Sequence, residues 1–334
     1  MITQPGKKKN NYIEDGKKMA NIIDYILWRG DLSFKQSTFN EVDAVILCQI
    51  SYLNYDGILS SDFKSGMTLK NLWQAFKHTA DFKKRCDPGA LINSDTYKVL
   101  EAAADSPRFS SVSAAGYVNK IDRSIDEQFS AVTYFLGGTN KNPYVVFKGT
   151  DDTLTGWKED FNMSFSTSVP AQKDAVSYID RVSKITHGKI NILGHSKGGN
   201  LAVYAACYMN KYFKPKVEKI FNFDGPGFPK DMIDSREFTR IKDKINTWYP
   251  QKDLVGMFFE HAEKYTVVRS SASGAWQHDA MSWFVEGSHF VTEAELDKKS
   301  VYFNKIFNSW LKTVTPEKLK QVTDTIFEFL ENKR

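Results

Sequence analysis

Apolar positions follow two different periods along the chain, and the change of period divides it. Over the first two-fifths they recur every three or four residues, the repeat of amphipathic helices, in "MANIIDYILWRG" (19–30), "STFNEVDAVILCQISYL" (37–53), "TLKNLWQAFKHTA" (68–80) and "NSDTYKVLEAAA" (93–104). Gly30 ends the first of these. Ser37 or Thr38, Thr68 and Asn93 stand where helix N-caps are expected. Residues 1–17 are polar, and their basic run "GKKKNN" reads as a solvated, flexible tail.

After about residue 112 the apolar positions alternate instead. "SVSAAGYVNKID" and "QFSAVTYFLGG" predict an antiparallel pair of strands. "NPYVVFKGT" (142–150) is short and almost wholly apolar, as in a strand buried on both faces. From there helix and strand alternate: a helix over 171–185, a strand over 189–193, a helix after Ser196, a strand over 217–223 and a helix over 231–241. Strands over 244–250 and 264–271 follow, and helices over 293–312 and 316–332 close the chain. Such alternation predicts an α/β fold with a mostly parallel central sheet covered by helices, preceded by a helical N-terminal segment. The division expected is a tail over 1–17 and one α/β domain over 18–334, helical to 110 and sheet-forming beyond.

The densest chemistry lies in "INILGHSKGGNLAVYAA" (190–206). A serine between an apolar strand and a helix, flanked by Gly194, Gly198 and Gly199, has the context of a nucleophile elbow. The small residues let strand and helix close around a sharp turn that exposes the hydroxyl, and His195 completes the turn. The first N–H of the helix, at Lys197, faces a developing oxyanion. The bland alternative is an ordinary tight turn.

A serine hydroxyl needs a base, and the base an orienting acid, from loops at the carboxyl ends of later strands. Asp224 ("FNFDGPGF") and Asp253 ("TWYPQKDLVG") both end such strands, and strand position alone leaves both open. Of the histidines downstream of both, His261 precedes its strand and falls at the wrong end of the sheet. His278 ("GAWQHDAMSWF") follows that strand and falls at the right end, and His289 ("EGSHF") is held in reserve.

Composition narrows the remaining classes. The 334 residues carry a formal net charge of +5 with the basic residues dispersed, which argues against nucleic-acid binding. Cys48, Cys86 and Cys207 are odd in number and widely spaced, as in a reduced, cytoplasmic protein, and no metal or other cofactor is expected. No apolar run approaches a membrane span, and no signal peptide is visible. Aromatic residues make up 14% of the chain. Trp73, Trp157, Trp248, Trp276 and Trp283 are candidates for the core or for an acyl pocket.

Four segments in order, "VVFKGTDDTLTGWKEDFNMSF" (145–165), the Ser196 elbow, "IFNFDGPGF" and "YPQKDLVGMF", resemble the landmarks of the class-3 (fungal-type) lipase-like α/β hydrolases. The resemblance runs from about residue 20 to the C-terminus. It implies ester hydrolysis by Ser196, Asp253 and His278 on a small-molecule or lipid ester. Thr150 would be the second oxyanion donor beside Lys197, and Trp157 and Asp160 would anchor the loop that in lipases leads into the lid. The same alignment puts Asp224 where the family usually has Gly, which favours Asp253 as the acid. This chain departs from the pattern in carrying Lys148 for the family's arginine, in Asp151 and Asp152 beside the oxyanion donor, and in lacking a long apolar lid. Acyl transfer by the same residues, and a catalytically inactive interaction scaffold, are the competing readings.

Overall fold

The computed structural model describes residues 13–14, 17–88, 92–122, 124–125, 127–136, 141–150, 168–253, 255–315, 318 and 321. Trp157, Asp151, Asp152, Asp160 and nearly all of the helix expected over 316–332 lie outside the described residues.

Nine strands form one sheet: β1 (Met67–Thr68), β2 (Ser113–Asp122), β3 (Glu127–Phe135), β4 (Tyr144–Phe147), β5 (Ile190–His195), β6 (Val217–Phe223), β7 (Ile245–Pro250), β8 (Tyr265–Val268) and β9 (Thr292–Glu293). They lie side by side in reverse chain order, β9-β8-β7-β6-β5-β4-β3-β2-β1. β4 to β8 run parallel, while β1 to β3 and the edge strand β9 pair antiparallel. The parallel strands are short and apolar because helices cover both of their faces. Alternation along each strand sorts its side chains between two cores.

On one face, Val146, Leu193, Phe221 and Phe223 meet the N-terminal helices α1 (Ile22–Arg29), α2 (Glu41–Ile50), α3 (Leu69–Lys77) and α4 (Thr96–Asp105). On the other, Val145, Phe147, Ile192 and Ile220 meet α5 (Pro170–Ile185) and α6 (Lys197–Tyr208). A last helix, α7 (Lys298–Thr313), follows β9. Among the described residues no helix is long and apolar enough to cross a membrane.

α2 begins at Glu41 rather than at Ser37 or Thr38. Asn40 and Asp43 form a reciprocal capping box there, while the carbonyls of Ser37 and Thr38 accept hydrogen bonds from Arg108. That guanidinium also holds the buried carboxylate of Asp43, with Nε 2.8 Å from Oδ1. This pairing satisfies a charge sealed within the helical layer. The single helix expected over 231–241 is two four-residue helices, Lys230–Ile233 and Arg236–Thr239. Ser235 breaks the run because its hydroxyl caps the second by accepting from the Phe238 N–H.

Candidate active site

β5 ends at His195, and α6 starts at Lys197, so one residue makes the turn between them. That residue, Ser196, has φ 59° and ψ −135°, a conformation that favours glycine. Its N–H donates to the Phe223 carbonyl at 2.8 Å, and its own carbonyl accepts from Gly199 N at 2.8 Å. These two bonds tie the turn to β6 and to the first turn of α6. Glycines make the closure possible. A Cβ on Gly194 would lie 1.9 Å from the Gly198 carbonyl oxygen, and one on Gly198 would lie 2.1 Å from that of Phe147. Gly149, next to Thr150 at the end of β4, has no space either: its Cβ would be 3.0 Å from that of Ser196.

His278 lies in a 3-10 turn (Gly274–His278) after β8. Its Nδ1 stands 2.6 Å from Asp224 Oδ2, with both groups buried. Nδ1–H therefore donates to the carboxylate, which leaves Nε2 as the ring's acceptor. The carboxylate on the imidazole is thus Asp224, whereas strand position left both aspartates open and the family resemblance favoured Asp253. Asp224 has φ 52°, in the left-handed region that favours glycine. The same backbone explains why a family built on this turn would usually have Gly at that position.

Asp253 sits directly behind. Its Oδ1 accepts from the N–H groups of Val255 and Gly256 at 2.8 and 3.0 Å, and its carboxyl adjoins that of Asp224. Burial pushes the Asp224 carboxyl up to about 7, opposed by the adjoining Asp253 carboxyl and by the nearby Gly256 N–H. Burial, reinforced by the Asp224 charge, raises Asp253 well above the usual carboxylate range.

His195 is fully buried behind the serine. Its Nε2 lies 2.7 Å from the His278 carbonyl and its Nδ1 2.8 Å from the Tyr52 hydroxyl. A carbonyl only accepts, so Nε2 carries the proton and Nδ1 accepts from Tyr52. Burial, with His278 beside it, lowers the His195 pKa well below the ordinary value and keeps the ring neutral. The two ring centroids are 4.6 Å apart, and Trp283 meets His195 edge-on, at 6.3 Å. Trp283 and Trp73 are buried in the core, and Trp248 stacks on Phe221 and Phe223.

The remaining candidates scatter. His261 bonds to Tyr249, Glu263 and the Phe258 carbonyl, and exposed His289 pairs with Glu41. Neither of these imidazoles meets Asp224 or Asp253. Lys197 opens α6, and its buried Nζ reaches across to the carbonyl and Oε1 of Gln128 in β3, each at 2.8 Å. Thr150 is half-buried at the end of the stretch that follows β4. The hydrogen bonds among the described residues join His278 to Asp224 and His195; none joins it to Ser196. The contact of His195 with Tyr52 was not legible in the sequence, since the two lie 143 positions apart and nothing between them signals it.

A family model described as Mbeg1-like matches residues 103–328. No curated protein matches the chain. Among solved structures it is similar to M37 lipase, at 15% identity over 66% of this chain and 70% of that one, with a TM-score of 0.41. It is also similar to mono- and diacylglycerol lipase from Aspergillus oryzae, at 11% identity over 77% of this chain and 87% of that one, with a TM-score of 0.44. The matched span takes in the parallel strands, the glycine-flanked turn at Ser196 and the His278–Asp224 pair, and the chain belongs to the Mbeg1-like family, in keeping with the class-3 lipase-like resemblance of its motifs.

Proposed function

We propose that this protein is a serine hydrolase of carboxylic esters, with Ser196 as nucleophile, His278 as base and Asp224 as the acid that orients the base. The observation that carries this reading is the backbone of Ser196. A serine held at φ 59° between a parallel strand and a helix is a strained turn of the kind that exposes a nucleophile. It is paired at the same end of the sheet with a buried imidazole–carboxylate couple.

In the proposed reaction Ser196 Oγ attacks the acyl carbonyl carbon as its proton passes to His278 Nε2. Asp224 keeps Nδ1–H in place and stabilises the imidazolium that forms. The oxyanion faces the backbone N–H groups of Lys197, at the N-terminus of α6, and Thr150. The imidazolium then protonates the leaving alcohol, and water repeats the sequence on the acyl-enzyme. Apo geometry is commonly looser than that of the substrate complex, so the Ser196–His278 hydrogen bond is assigned to the bound state.

The test is turnover of chromogenic acyl esters of graded chain length by the wild type and by Ser196→Ala. Wild-type turnover that falls by about 10³-fold or more in the variant is expected. Equal turnover by a folded Ser196→Ala protein would rule the mechanism out. Absence of turnover with every ester would favour the scaffold reading.

A further inference from the structure

Two buried carboxyl groups touch one another behind His278, and hydrogen-bond accounting decides their charge. Asp224 Oδ2 is occupied by His278, and Asp253 Oδ1 by two backbone N–H groups. The other oxygen of each, Asp224 Oδ1 and Asp253 Oδ2, is buried with no donor. Both side chains are sealed from solvent. Apart from His278, no cationic side chain of the described residues forms an ion pair with either. Two ionised carboxylates in contact, without a countercharge or solvent, repel strongly and leave both oxygens without a donor. A single proton between them removes both problems at once.

We propose that Asp224 and Asp253 form one carboxylic acid–carboxylate pair, in which Asp253 keeps a proton at neutral pH and donates it from Oδ2 to Asp224 Oδ1. Asp253 is then a positioning residue: it holds Asp224 as an oriented anion on His278 Nδ1, and the pair carries one negative charge in total. No proton leaves the pair during turnover, since the serine proton resides on His278. The catalytic part of this inference rests on the hydrolase reading above, whereas the shared proton does not. The groups facing the pair are His278 with His195 behind it, Asp279 beside His278, and Tyr249 in β7. Beyond Tyr249 lies Glu263 with His261. Tyr249, raised by burial, stays neutral beside them. Gly256 is required against the pair, since a Cβ there would lie 2.4 Å from Asp224 Oδ1.

Infrared difference spectroscopy of the whole protein reads the proton directly. At pH 8 the wild type is expected to show a protonated-carboxyl C=O band that disappears in Asp253→Asn and survives in Asp279→Asn. A wild type without the band, or a band that persists in Asp253→Asn, would overturn the shared proton whether or not the protein is a hydrolase. Should Asp253→Asn fail to fold, carboxyl-carbon NMR of aspartate-labelled wild type gives the same reading. One buried aspartate should remain protonated above pH 8; full ionisation would refute the pair.

Where esters are turned over, Asp253→Asn supplies an N–H in place of the O–H and should lose no more than about tenfold in kcat/KM. Asp253→Leu supplies none, should lose a further ~10- to 100-fold at neutral pH, and should recover part of it as pH rises and Asp224 ionises. A loss of about 10⁴ in Asp253→Asn would instead make Asp253 the anion on the base, reversing the assignment.

Discussion

Replacing Ser196 by glycine should make the protein more stable while destroying its chemistry. At φ 59° and ψ −135° a residue with a Cβ is held where only glycine is at ease, which costs about 1–3 kcal/mol. Ser196 Oγ makes no hydrogen bond to the described residues, so its removal forfeits little in the fold. Against the relief stands the extra freedom glycine gives the unfolded chain, about 0.4–1 kcal/mol. The net gain is therefore about 0.5–2 kcal/mol, or a rise of about 1–3 °C in Tm for a chain of this size. Ser196→Ala is the control, because it removes the hydroxyl and keeps the Cβ. Its Tm should stay close to wild type, and Ser196→Gly should melt above both by differential scanning calorimetry. If glycine were no more stable than alanine, the turn would store no strain, and the observation carrying the functional reading would lose its force.

Other outcomes follow from the same contacts. Tyr52→Phe leaves His195 Nδ1 buried without its donor and should destabilise the protein by about 1–3 kcal/mol in urea denaturation. Gly198→Ala puts a Cβ into the Phe147 carbonyl, backbone against backbone, and should lower both Tm and turnover more than Gly274→Ala, whose Cβ meets nothing within 4 Å and which carries only the strain of its positive φ of 58°. Asp279, pushed up to about 7 by burial, binds its proton more tightly folded than unfolded, where it titrates near about 3.9. The stability it lends is whole below about pH 4 and is lost as pH rises toward 7. Asp279→Asn keeps a good N-cap and stays neutral, so it should gain on the wild type by on the order of 1.4 kcal/mol per pH unit across that window.

The parallel strands were legible because a strand buried on both faces has few alternatives to a short apolar run: Val217–Phe223 matches its expected span in full, and Tyr144–Phe147 lies within its own. Helix starts were less so. Asn40 caps α2 because Arg108, far along the chain, occupies the carbonyls of Ser37 and Thr38. Which of Asp224 and Asp253 meets His278 turned on a backbone angle. Both aspartates follow parallel strands, but the positive φ at Asp224 aims its carboxyl at the imidazole while Asp253 turns back onto its own loop N–H groups. Residue spacing carries no record of that. Nor does it show that His195, placed in the turn by sequence, binds the carbonyl of His278.

The most direct measurement is mapping of the adduct left by an active-site fluorophosphonate on the intact protein. Mass spectrometry of its peptides should find the label on Ser196 in the wild type, with labelling slowed by about 10³-fold or more in His278→Ala and in Asp224→Asn. A label on another residue, or labelling of Ser196 that is indifferent to His278, would contradict the account.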